Sequence, residues 1–181
     1  MDMVICGPTD FFQPKMSRFI ARLCNDSSHQ WIYNIINKNL DGSDEEIIHE
    51  TPEWCLCLDK HGGNDTRYLV IFKDTSLQTI RDLRQKHLPV LYEVESAVKS
   101  WLGAESCQYK LYFHYMPSTF QLHLHINTVH AARNYQRIQP LHVVIRNLED
   151  DNLYYQKALI LTRYCKTIKR AETHAKMTVH I

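Results

Sequence analysis

Between residues 27 and 40 the apolar positions Trp31, Ile32, Ile35 and Ile36 recur at helical spacing, after a Ser27 and Gln30 capping-box pair and before an Asp41-Gly42 stop. The pattern predicts a helix over 27–40. A shorter helix is predicted upstream over 14–23, with Phe19, Ile20 and Leu23 on one side. Three strand-like runs follow at 46–49, 54–58 and 67–72. The last two flank Asp59-Lys60-His61-Gly62-Gly63-Asn64-Asp65, a strong turn signal, and read as a hairpin. The period then returns to helical from Pro89 through Val90, Leu91, Val94, Ala97, Val98, Trp101 and Leu102, ending at Gly103. Runs at 109–116 and 121–127 alternate as strands around Pro117-Ser118-Thr119-Phe120, a connection of hairpin length. A further helix is predicted over 138–148 and a final strand over 158–162, before a basic tail with Lys166, Lys169, Arg170 and Lys176. This order of elements argues for one α+β domain: an antiparallel sheet of about five strands, a long helix packed on it, and additional N-terminal and C-terminal helices. The expected division is an N-terminal extension over 1–26, the domain proper over 27–165 and the tail over 166–181.

Composition narrows the class. At 181 residues with 44% hydrophobic and 23% charged side chains, and only 5 Gly and 6 Pro, the chain can bury a core and is neither disordered nor fibrous. The 21 Lys and Arg against 20 Asp and Glu exclude a strong overall basic field, so any phosphate site is local. No run approaches the length of a spanning helix, and the amino terminus lacks a signal-peptide pattern, so the expectation is no membrane and a cytoplasmic setting, with a nuclear one also open. The 6 cysteines show no CxxC spacing and read as reduced thiols, with Cys55 and Cys57 on one face of a strand.

Histidine stands out, with 11 residues, five of them (His114, His123, His125, His130, His142) in one short stretch. In Gln121-Leu122-His123-Leu124-His125-Ile126 the strand period turns Leu122, Leu124 and Ile126 to one side and Gln121, His123 and His125 to the other. His114 shares a face with Tyr112 and Lys110, and the turn brings His114 and Ser118 back toward the second strand. Three readings of this polar cluster stand side by side: solvent-facing histidines on a half-buried sheet, a metal site built on the HxH pair, and nucleophilic attack by an imidazole at phosphorus. The metal reading lacks a third acidic or cysteine ligand.

The segment from His114 to His125, His-Tyr-Met-Pro-Ser-Thr-Phe-Gln-Leu-His-Leu-His, resembles the active-site strand-turn-strand of the scavenger mRNA decapping enzymes of the histidine-triad superfamily. Ile80-Arg81-Asp82-Leu83 with His87-Leu88-Pro89-Val90-Leu91, Gln30-Trp31-Ile32-Tyr33-Asn34-Ile35, Asn147-Leu148-Glu149 and Tyr155-Gln156 resemble further stretches of the same catalytic domain, so the likeness extends from about residue 30 to about 162. It implies a histidine-triad fold, no metal and no cofactor, and cleavage of the triphosphate bridge of the mRNA cap, as the cap dinucleotide or a capped RNA 5′ end. The products would be methylguanosine monophosphate and a nucleoside diphosphate. By position, the resemblance makes His123 the nucleophile, His125 a phosphate contact or orienting group, and His114 and Ser118 holders of the triphosphate. It also implies a homodimer.

Departures from the family pattern sharpen the expectations. Gln121 stands where the first triad histidine belongs; it can donate a hydrogen bond to phosphate but carries no transferable proton. Thr119 and Phe120 replace two tyrosines. Where the family stacks a tryptophan on the methylated base, this chain has His61, with Trp54 and the neighbouring carboxylate Glu53 as the alternative stacker and guanine-edge acceptor; a core aromatic is the plainer reading of Trp54. Lys73 and Lys110 are candidate phosphate contacts. About 30 residues precede the matched region, so the expectation is a catalytic domain without the family's amino-terminal one and a more open site. The alternatives are a histidine-triad hydrolase of other nucleotide conjugates, such as dinucleoside polyphosphates, and a catalytically weakened cap- or nucleotide-binding protein.

Overall fold

A computed structural model of the chain describes residues 3–6, 29–39, 46–59, 67–128 and 138–163. Strand β1 (Met3–Cys6) is followed by α1 (Gln30–Ile36), β2 (Ile47–Glu50), β3 (Trp54–Leu58), β4 (Arg67–Phe72), α2 (Leu88–Leu102), β5 (Tyr109–His114), β6 (His123–Thr128), β7 (Ile138–Pro140), α3 (Leu141–Asp150), α4 (Tyr154–Lys157) and β8 (Ile160–Arg163). Six strands form one antiparallel sheet in the order β2-β3-β4-β6-β5-β7, while β1 and β8 pair antiparallel as a separate ribbon. The α+β class and the antiparallel sheet with a long helix are as expected, with one strand more than five.

Each sheet face has its own core. Val70, Phe72, Trp54, Leu56, Leu122, Leu124 and Ile126 pack beneath Leu91, Val94 and Val98 of α2 and Leu141, Val144, Ile145 and Leu148 of α3. Pro89 in the first turn and Gly103 at φ 57° delimit α2, as their residue types favour. On the other face Ile32 and Ile35 of α1 cover Cys55, Cys57, Leu69 and Ile71, so the paired cysteines are core side chains; burial pushes the Cys55 thiol up to about 11.

Three expectations change. The first helix runs only over Gln30–Ile36 within the described residues, and Lys38 adopts φ 59° just beyond it. Ile138–Pro140 is an edge strand against Tyr112–His114, and the helix begins at Leu141, because Pro140 supplies no N–H to a helix interior but fits an edge. Met3–Cys6, expected as part of an extension, pairs with Ile160–Arg163. The helix over 14–23 and the basic tail lie outside the described residues. No helix among those described is long and apolar enough to cross a membrane.

Candidate active site

Antiparallel register assembles the site. His123 lies opposite Ile71 on β4; His125 lies between Leu69 on β4 and Tyr112 on β5. Residues opposite one another share a face, so the histidines project on the side on which α1 packs over β3 and β4. The rings form a row: His123 and His125 are 5.0 Å apart between centroids, His125 and His114 4.5 Å. Tyr112 stacks on His125 at 5.5 Å and meets His114 edge-on at 5.2 Å. The expected grouping of His114, His123 and His125 on one surface is therefore present. Among the described residues no three or more His, Cys, Asp or Glu side chains are grouped to hold a metal ion.

His123 is the most constrained of the three, only 9% exposed, with Nδ1 2.7 Å from the main-chain oxygen of Gln121. A carbonyl can only accept, so Nδ1 carries the proton and Nε2 keeps its lone pair. Burial lowers the His123 pKa from its ordinary range, opposed by the Gln121 carbonyl and the charge of Asp59. The ring thus stays neutral to a pH below about 6.5. An NMR titration of the His123 ring carbons is expected to show its midpoint below that value, and a midpoint at or above it contradicts this account. The unfolded chain takes up the proton near pH 6.5 and the folded one does not. His123's contribution to stability is consequently complete above about pH 6.5 and shrinks as pH falls toward the folded-state midpoint.

Gln121 corrects an expectation. It is fully buried, and Nε2 donates to the main-chain oxygens of Phe72 (2.7 Å) and Asp74 (3.1 Å). Both amide protons are engaged, which removes it as a phosphate donor. Its main chain orients His123 while its side chain ties β6 to the end of β4.

The other candidates divide. Ser118 is exposed in the connection from β5 to β6, and Lys110 stands half-buried on the histidine face opposite Asn127. Lys73 is committed elsewhere: Nζ reaches Glu50 Oε1 and the Thr51 carbonyl, both at 2.6 Å, which binds the end of β4 to the β2–β3 turn. Lys73 and Lys38 together hold the Glu50 carboxyl below its usual range. Trp54 is a core residue, 1% exposed on the opposite face of the sheet, with Nε1 donating to Glu93 (3.0 Å). Its register partner is Phe72, so the strand period turns it toward α2 and away from the histidines; the base-stacking role falls away. Glu53 is exposed in the β2–β3 turn and lines a cleft of about 580 Å³ with Lys73, His87 and Glu93, on the helix side. His61 lies outside the described residues.

Sequence patterns did not single out His29, whose Nδ1 lies 3.1 Å from Thr119 Oγ1 and links the start of α1 to the turn before β6. Asn127 and Arg67 were also missed. Asn127 continues the alternation after His125, a signal open to detection, whereas Arg67 joins the face only through strand register.

The six-stranded antiparallel sheet thus carries a row of three histidines, one of them fixed by the carbonyl two residues before it. Residues 30–139 match the family described as scavenger mRNA decapping enzyme C-term binding, and the chain belongs to that family. The m7GpppX diphosphatase of Sus scrofa is 30% identical over 145 residues, covering 72% of this chain and 42% of that protein. The m7GpppX diphosphatase of Ascaris suum is 29% identical over 151 residues, 75% of this chain and 50% of that protein. The chain thus spans about half or less of the length of these relatives. Among solved structures, the aprataxin ortholog Hnt3 in complex with DNA superposes with a TM-score of 0.51 at 17% identity, over 86% of this chain and 100% of that one, a likeness of fold.

Proposed function

We propose that this domain hydrolyses the triphosphate bridge of the methylguanosine cap, as cap dinucleotide or capped RNA end, through a phosphohistidine on His123. The observation that carries the reading is the Nδ1 bond to the Gln121 carbonyl, which leaves Nε2 unprotonated in a row with His125 and His114. In the first step the Nε2 lone pair forms a bond to the phosphorus next to methylguanosine. The bond from that phosphorus to the bridging oxygen breaks, and its electron pair leaves with the nucleoside diphosphate. Water then attacks that phosphorus: its oxygen bonds to phosphorus, the P–N electrons return to Nε2, and one proton of the water passes to solvent, giving methylguanosine monophosphate and neutral His123. His125, His114 and Ser118 stabilise the charge on the transferred and leaving phosphates. Because Gln121 has no proton to transfer, a diphosphate leaving group suits the site better than one that must be protonated as it departs.

Incubation with methylated cap dinucleotide in the presence of a chelator, with products identified by mass, tests the reading. Methylguanosine monophosphate and nucleoside diphosphate are expected. Absence of turnover, or turnover lost with the chelator, overturns it. The burial of Trp54 favours a second reading, in which the base is not discriminated and dinucleoside polyphosphates are also cleaved. Equal rates with methylated and unmethylated guanine would select it.

A further inference from the structure

The turn between β5 and β6 carries the parts of the site that strand register does not fix. Ser118 is exposed on it, and Gln121 near its end offers the main-chain oxygen that lies 2.7 Å from Nδ1 of His123. Thr119 stands between them and is 6% exposed, so the chain turns one side chain out and the next one in. Its hydroxyl lies 3.1 Å from Nδ1 of His29, 90 positions earlier in the chain. A hydroxyl both donates and accepts, so either tautomer of His29 keeps this bond.

His29 immediately precedes α1, which is seated by the buried Ile32 and Ile35 on Leu69 and Ile71 of β4. Ile71 is the register partner of His123. The connections therefore close a ring. The Gln121 carbonyl holds His123, His29 holds Thr119 in the same turn, and the helix behind His29 rests on the residue opposite His123. The ends of the turn are tied separately: Arg81 donates to the Tyr115 hydroxyl at one end, while at the other Gln121 Nε2 donates to the carbonyls of Phe72 and Asp74 and the Leu122 N–H to that of Leu77 at 2.7 Å. The His29 bond acts between them, on the side of α1. A group misplaced by about 1 Å can cost on the order of 10²-fold in rate. We propose that His29 is a positioning residue for the reaction: its bond to Thr119 fixes the turn so that Ser118 and the Gln121 carbonyl keep their places relative to His123. The effect on rate rests on the decapping reading above; the effect on the His123 ring does not.

The test compares wild type with His29→Ala, Thr119→Val, the double variant and Thr119→Ser, which keeps the hydroxyl. With methylated cap dinucleotide, kcat is expected to fall about tenfold in His29→Ala and in Thr119→Val, while KM stays within about threefold and Thr119→Ser remains close to wild type. Both substitutions break one bond, so the double variant should lose no more than either alone. An unchanged kcat in His29→Ala, or losses that multiply in the double variant, overturn the assignment. Thr119→Val keeps the branched shape and leaves α1 untouched, so it carries the comparison if His29→Ala does not fold. A second readout needs no turnover: proton–nitrogen correlation NMR of the histidine rings reports which nitrogen of His123 bears the proton. Wild type and Thr119→Ser are expected to show the Nδ1–H tautomer alone, and His29→Ala and Thr119→Val a mixture with Nε2–H. Spectra of His123 identical in all of them overturn the positioning role. If wild type leaves the cap dinucleotide intact, the decapping reading fails, and the spectra still decide whether His29 positions the turn.

Discussion

Replacing His123 by alanine is expected to lower turnover of the cap dinucleotide by about 10⁴-fold or more, with a much smaller effect on affinity for a non-hydrolysable cap analogue. The asymmetry follows from the geometry. His123 is the ring whose Nδ1 proton is held by a carbonyl and whose neutral form is favoured by burial, so under the proposed function it supplies the lone pair for attack. The neighbouring rings of His125 and His114, at 5.0 and 4.5 Å along the row, are left in place by the substitution and under the same proposal hold the phosphates. Acid-sensitive label on the protein, trapped from a phosphate-labelled cap, should disappear in the variant. Turnover that survives the substitution would assign the nucleophile elsewhere, and loss of binding in parallel with loss of rate would make His123 a ligand contact. Thermal unfolding of the variant separates both outcomes from simple misfolding.

The second large effect is on stability. Arg81 is fully buried, with Nε donating to the Tyr115 hydroxyl (2.5 Å) and Nη1 to the carbonyls of Tyr155 (2.7 Å) and Ala158 (3.1 Å). Its guanidinium carbon also lies 4.9 Å from the centroid of the Tyr115 ring. One side chain thereby joins the turn before α2, the connection from β5 to β6 and the segment around α4. Arg81→Met removes three hydrogen bonds, those to the Tyr115 hydroxyl and the Tyr155 carbonyl buried and that to the Ala158 carbonyl part-buried, each at about 1 kcal/mol or more, so a loss of about 3 kcal/mol is expected. That corresponds to a fall in Tm of roughly 10 °C for a domain of this size. Arg81→Lys should recover little, because a single ammonium on a flexible stem does not reproduce the planar fork. A Tm within about 1 °C of wild type in Arg81→Met would show that these acceptors find other partners.

Elements with a strong period were readable from residue type alone. Leu91, Val94 and Val98 mark α2 between Pro89 and Gly103, and the alternation of Leu122, Leu124 and Ile126 with His123 and His125 marks β6 and its two faces. Short elements were not. Ile138–Pro140 carries too few residues to show a period, and its strand character comes from hydrogen bonding to β5. Met3–Cys6 likewise takes its conformation from a partner more than 150 positions away, Ile160–Arg163. Trp54 and Gln121 mark the limit for the site. Trp54 looked available for stacking because aromatic character is visible in sequence and the face to which it turns is not. Gln121 lies two positions before His123, and the alternation alone assigned it to the same surface. It precedes the first residue of β6, where the chain turns it inward to the carbonyls of Phe72 and Asp74.

What the sequence by itself determined is the chemistry on offer and its local order: three imidazoles at positions 114, 123 and 125, apolar residues between them that must be buried, and a short turn that returns one strand beside the next. These follow from side-chain type and the period of two, which act over a few residues. Only the tertiary structure decided which groups share the face with them. Antiparallel register set Arg67 and Lys110 on either side of Asn127, turned Trp54 to the opposite face, and gave Lys73 to Glu50. Register is a property of paired strands far apart in the chain, fixed by how two cores on opposite faces are buried at once, and no single segment carries that information.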